Sequence, residues 1–209
     1  RGLRVTGSEI VGLVPKKSLI DAGIYYLKKQ NKPVSIPEED IIHTAIDSLG
    51  LNDISPFKQN KSIIENRINP PSPLVNLPVR EFINEISIDS PAPGGGSVSA
   101  LAGSLSASLV SMVSNLSYNK KGYEKNNSKF EKLGIEAQNI KRKLLFLVDE
   151  DTRAFNCIME SFRLAKKTLE EKKYRDTMIE KATKNAIEVP LQIMKNSYAS
   201  LLLAKKIAK

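Results

Sequence analysis

Apolar residues recur every three to four positions at Phe130, Leu133, Ala137, Ile140, Leu144, Leu147 or Val148, Phe155, Ile158 and Phe162. A stripe of that period commits the stretch from Tyr123 to about Lys166 to a long amphipathic helix, and such a helix has to bury its stripe against others. Val79 to Ile86, Gly96 to Leu116 and Glu170 to Lys209 carry the same period, the last with Pro190 as a point where it can kink. Residues 79–209 are therefore expected to form an all-α helical bundle.

The first third of the chain reads differently. Leu3 to Val14, rich in Val, Leu and Ile around Gly7 and Gly12, has the composition of a short strand region. Pro15 opens a helix with Leu19, Ile20, Ala22, Ile24, Tyr25 and Leu27 near helical spacing and Lys28 and Lys29 in its last turn. Pro37-Glu38-Glu39-Asp40 starts a second, which buries Ile41, Ile42, Ala45, Ile46 and Leu49 and ends at Gly50. Ser62 to Ile68 reads as a closing strand. The expectation is a mixed fold: a short α/β piece over 1–68, a proline-rich linker over 69–78 built on Asn69-Pro70-Pro71-Ser72-Pro73, then the bundle. Arg1 opens inside a strand-like pattern and Lys209 stops inside a helical one, so a piece of a longer polypeptide is expected.

Composition narrows the chemistry. Among 209 residues, 41% hydrophobic, Lys and Arg outnumber Asp and Glu by 32 to 23, for a formal charge of +9. That excess favours acidic partners, or it is the solvated face of amphipathic helices, since it is spread along the chain. One cysteine, Cys157, excludes an internal disulfide or a cysteine metal cluster within this sequence, and it is expected to be a small buried hydrophobe. One histidine, His43, rules out a multi-histidine metal site and lies beside the apolar stripe as a surface or boundary residue. Ser97 to Leu116 is studded with serines and reads as too polar to span a bilayer. A soluble, cytoplasmic protein with no metal and no membrane partner is expected.

Three segments carry candidate chemistry. Asp89-Ser90-Pro91-Ala92-Pro93-Gly94-Gly95-Gly96-Ser97 joins a rigid turn to a helix start. Its free amides suit an anionic or polar ligand; the other reading is an ordinary loop capped by Ser97. No Walker lysine follows the glycines, so this is not a P-loop. The helix it opens carries Gly96, Ala100, Gly103 or Ser104, Ala107 and Ser111 on one side, a surface that another helix can approach closely.

Asp151 occupies an apolar slot of the long stripe. It is either a desolvated carboxyl able to hold a proton as a general acid, or part of a solvated patch in which Asp149, Glu150 and Asp151 pair with Arg153, a setting that suits Asp149 and Glu150 better. Tyr118-Asn119-Lys120-Lys121-Gly122-Tyr123 interleaves rings and cations, suited to a ring with a carboxylate or to single-stranded nucleic acid, or else it is a helix end capped by Gly122.

These residues support a resemblance that covers almost the whole chain. Val5-Thr6-Gly7-Ser8-Glu9-Ile10-Val11-Gly12-Leu13-Val14-Pro15, with Ser48-Leu49-Gly50-Leu51 and Pro56-Phe57, resembles the C-terminal end of glutamate formimidoyltransferase, a ferredoxin-like fragment. Val79-Arg80-Glu81-Phe82, the run Pro91 to Val98, Ser111-Met112-Val113, Tyr118, and Val148 to Phe155 resemble formimidoyltetrahydrofolate cyclodeaminase, in the order of the bifunctional family. The resemblance implies cyclisation of 5-formimidoyltetrahydrofolate to 5,10-methenyltetrahydrofolate with release of ammonia, a lyase step of histidine catabolism and one-carbon metabolism.

In that reading Asp151 is the catalytic proton donor, and Pro93, Gly94, Gly95, Gly96, Ser97, Tyr118 and Lys120 bind the folate. No cofactor is implied beyond tetrahydrofolate as the carrier of the substrate, with a polyglutamate tail and a homo-oligomer as expected partners. The family's transferase histidine lies in a subdomain absent here and His43 does not match it, so transferase activity is not expected. The bundle stops before the family's last helices, which leaves the activity of this stretch to be measured. Methenyltetrahydrofolate cyclohydrolase activity is the alternative, followed by a non-catalytic assembly or nucleic-acid-binding fragment; acids interspersed among the bases weigh against nucleic acid.

Overall fold

The computed structural model describes residues 8–68 and 73–208. The chain divides into two compact units, residues 1–71 with 113–135 and residues 72–112 with 136–209.

In the first unit, α1 (Lys16–Lys29) follows Pro15, and α2 (Glu38–Ser48) follows Pro37 with three acids in its first turn. Proline costs nothing there because its missing N–H has no helical acceptor. Lys16 and Glu38 form an ion pair at 3.0 Å. At Gly23 a Cβ would strike the backbone carbonyl of Ile41, so this glycine sets how closely α1 and α2 cross. Leu19, Ile42, Ala45, Ile46, Leu51 and Ile63 form one buried cluster, and Leu27, Val34 and Ile41 a second. The end of α6 and the start of α7, described below, belong to this unit. There the side chains of Ser35 and Asn115 hydrogen-bond, Asn115 Nδ2 donates to the Ser35 carbonyl at 3.0 Å, and Ser114 Oγ donates to the Phe130 carbonyl.

The α/β reading of this piece is corrected: among the described residues there is no strand and no sheet. The expected strand at Ser62 to Ile68 is two short helices, α3 (Gln59–Ser62) and α4 (Ile64–Ile68), flanking a single parallel bridge between Val14 and Ile63. The expected strand at Leu3 to Val14 shows only that bridge in its described part, and Gly12 at φ 98 breaks the extended run; residues 3–7 lie outside the described residues. An extended segment needs a neighbour to satisfy its backbone. Val14 exchanges one N–H and one C=O with Ser62 and Ile64, and around that rung the backbone turns helical. The first four residues of the expected linker, 69–72, also lie outside the described residues.

The second unit is helical throughout: α5 (Val79–Ser87), most of α6 (Gly95–Ser117), most of α7 (Asn127–Arg163) and α8 (Leu169–Ile207), which continues through Pro190. Thr168 caps α8 reciprocally: its hydroxyl accepts the Glu171 N–H and the Glu171 carboxylate accepts the Thr168 N–H.

α6 is inverted relative to an ordinary amphipathic helix. Its buried side carries Ser97, Ala100, Ser104, Ala107 and Ser111, while Leu105, Leu109 and Met112 are exposed. By length and composition α6 is apolar enough to cross a membrane, contrary to the expectation from its serines. Those serines are hydrogen-bonded: Ser111 Oγ accepts from Gln138 at 2.9 Å, Ser106 pairs with Ser200 at 2.9 Å, and Ser104 and Ser108 donate to carbonyls of their own helix. His43 is exposed. Cys157 is also exposed, which overturns the buried-hydrophobe expectation; it lines an open cleft of about 370 Å3 with Leu164, Tyr174 and Met178.

Candidate functional site

The glycine turn meets α7 at one point. α6 starts at Gly95, so Ser97 lies inside its first turn and is not the cap. Its N–H is one of the helix-start donors without an intrahelical acceptor. The Asp151 carboxylate supplies that acceptor: Ser97 N–H donates to Asp151 Oδ2 at 3.0 Å. Ser97 Oγ, fully buried, donates to the Val148 carbonyl at 2.7 Å and lies 3.5 Å from the same Oδ2. Among the described residues Asp151 Oδ1 takes no hydrogen bond. A Cβ at Gly96 would fall inside the Asp151 carboxylate, so only glycine lets this acid sit against the helix start. Pro93, in cis linkage to Ala92, is buried beneath the turn, and Gly95 is exposed.

The three consecutive acids of α7 go three separate ways. Glu150 pairs with Arg153. Asp149, expected in a solvated patch, is instead 2% exposed; its Oδ1 accepts the Leu74 N–H at 2.9 Å and its Oδ2 is buried with no partner among the described residues. Leu147, Val148 and Asp149 are all buried, and three successive helical residues sweep about 200°. α7 is thus covered on more than one side there, whereas the stripe assumed a single inward face.

The glycine turn also opens a cleft of about 540 Å3. Gly95, Gly96 and Ser99 line it from α6, and Pro190, Ile193, Met194, Ser197, Tyr198 and Leu201 line it from α8. The α8 wall escaped the sequence reading. Its residues have the three-to-four spacing of a core stripe, which by itself does not tell a buried wall from an open one. Ser197 Oγ is buried with no hydrogen-bond partner among the described residues, and it is packed against Gly103, where there is no room for a Cβ.

Tyr118 and Lys120 follow the opposite end of α6 and belong to the other compact unit. Tyr118 is half-buried, and the exposed Lys120 has its Nζ 5.6 Å from the centre of the Tyr123 ring. Asn119, at φ 59, takes the left-handed position after the helix, and Gly122, at φ 89, makes the next turn. Among the described residues no group of three or more His, Cys, Asp or Glu side chains is placed to hold a metal ion.

Residues 78–209 match the family model described as formiminotransferase-cyclodeaminase, and residues 1–69 match the formiminotransferase domain. The chain is 38% identical over 205 residues to formimidoyltransferase-cyclodeaminase of Gallus gallus, covering 95% of this chain and 38% of that protein. The chain therefore spans well under half the length of that relative. It is 32% identical over 134 residues to methenyltetrahydrofolate cyclohydrolase of Methylorubrum extorquens, covering 64% of each. Among solved structures, formiminotetrahydrofolate cyclodeaminase from Thermotoga maritima is similar at a TM-score of 0.42 and 22% identity, covering 63% of this chain and 76% of that one.

Proposed function

We propose, for a chain that belongs to the formiminotransferase-cyclodeaminase family, that its helical unit is a cyclodeaminase which closes 5-formimidoyltetrahydrofolate to the 5,10-methenyl form and releases ammonia. The observation that carries the reading is the Asp151 carboxylate packed against Gly96 and Ser97, with Gly96 also lining an open cleft.

In this reaction the N10 nitrogen attacks the formimidoyl carbon, which becomes tetrahedral. The C–N bond to the former imino nitrogen then breaks, and that nitrogen leaves as ammonia only once protonated. Asp151 is the proposed proton donor. Its Oδ2 is held by the Ser97 N–H, which fixes the carboxyl's orientation and leaves Oδ1 to face the leaving nitrogen. Gly94 to Ser97 line the approach of the folate. Tyr118 and Lys120 are proposed to make a separate contribution, through attraction for the glutamate carboxylates of the tail. The formal charge of +9 favours a polyanionic tail. The exposed Leu105, Leu109 and Met112 on α6 are the surface proposed for self-association.

The test is ammonia release, with methenyl formation followed in parallel, on the chain and its Asp151→Asn variant. The expected result is a loss of about 10²–10⁴ in kcat with folate binding retained. Equal turnover in both would remove Asp151 from the chemistry. The Methylorubrum relative favours a second reading, cyclohydrolase action. Opening of the methenyl product without ammonia release from the formimidoyl substrate would establish that reading instead.

A further inference from the structure

Among the described residues, no charged side chain lines the cleft between the first turns of α6 and the middle of α8. A carboxylate moved into it would give up water and meet no cation, so the cleft suits a neutral part of a ligand. Two of its features suit a flat ring. At Gly95 nothing lies within 4 Å of a Cβ built on the backbone, which leaves open peptide surface on the α6 side. On the α8 side Tyr198 is 63% exposed and Met194 61%, while Ile193 and Ser200 of the same helix are buried. An aromatic ring and a thioether offer a stacking surface for a heteroaromatic group.

We propose that this cleft is the ring-binding subsite: the bicyclic pterin lies between the Gly95–Gly96 backbone and the ring of Tyr198. The inference rests on the folate reading and adds to it the α8 residues and the direction in which the substrate lies. Gly96 lines the cleft and abuts Asp151, so a ring seated there presents its substituted nitrogen toward the carboxyl. The anionic glutamate tail stays outside this neutral cleft.

The experiment measures the affinity of 5-formyltetrahydrofolate, a stable analogue, and of two fragments by competition against it: 6-methyltetrahydropterin, a ring without a tail, and p-aminobenzoylglutamate, a tail without the ring. The proteins are the full chain, Tyr198→Ala and Tyr198→Phe. Tyr198→Ala is expected to weaken the folate analogue and the ring probe by about tenfold each and to leave the tail probe unchanged. Tyr198→Phe keeps the ring face and stays within about twofold. Because Tyr198 is largely exposed, the thermal midpoint of both variants stays within about 2 °C of the parent. Unchanged affinity for the analogue in Tyr198→Ala overturns the inference while the folate reading stands, and so does a ring probe that fails to compete while the analogue binds. A parent chain that binds no folate analogue overturns the folate reading and this inference with it.

Discussion

Replacing Gly96 with alanine adds one methyl group at the position where the Asp151 carboxylate lies. The backbone accepts alanine, since Gly96 is helical and its φ is not positive. The conflict is therefore one of packing. Two relaxations are open, and each has a cost. If the helices move apart, overpacking costs about 1–3 kcal/mol. If Asp151 swings away, the hydrogen bond from the Ser97 N–H to its carboxylate is lost, at about 1.5–3 kcal/mol. Alanine's better helix propensity returns at most about 1 kcal/mol. The net expectation is a destabilisation of about 2 kcal/mol, or about 4–8 °C in thermal midpoint for a chain of this size.

Gly95→Ala is the control, because nothing lies within 4 Å of its Cβ; it stays within about 1 kcal/mol of the parent or stabilises. Under the proposed chemistry Gly96→Ala also displaces the acid, and a shift of about 1 Å costs about a hundredfold in kcat. Thermal denaturation of both variants checks the packing, and ammonia release by Gly96→Ala checks the displacement of the acid. If Gly96→Ala melts with the parent and turns over at the parental rate, the packing of Asp151 against the glycine turn is refuted.

Other expectations concern groups away from that contact. Asp149→Ala leaves the Leu74 N–H without its acceptor and is expected to cost about 2–3 kcal/mol by chemical denaturation, whereas Asp149→Asn keeps an oxygen in that place and costs about 1 kcal/mol or less. Glu65 accepts the Lys16 N–H at 2.7 Å, and this bond, with one to its own backbone and the Lys16 charge, holds its carboxyl below the ordinary glutamate value. A depressed carboxyl contributes stability that is present above its unfolded value and lost as pH falls through the folded one. The melting difference between the parent and Glu65→Gln should accordingly favour the parent at neutral pH and vanish in acid; a difference that persists in acid would contradict the linkage.

The sequence by itself determined the helices, because the three-to-four period of their apolar residues is a local property. α1, α2, α5, α6, α7 and α8 lie where the spacing and the prolines, glycines and caps put them. It was less informative wherever a residue's state depends on a partner distant in the chain. The Val, Leu and Ile composition of 8–14 and 62–68 is compatible with strands, but an extended backbone persists only where neighbours pair with it, and one rung between Val14 and Ile63 is what forms.

The period picked out one inward face of α7 and therefore Asp151. The second covered face, which buries Asp149 against Leu74, arises from packing on another side of the helix. Likewise the glycine run announced a turn, but not that Gly96 would make room for a carboxylate from α7, or that Pro190, Ser197 and Tyr198 would wall the cleft beside it. Those are meetings of side chains from separate helices. They are decided by how the helices pack against one another, which the local period of each does not encode.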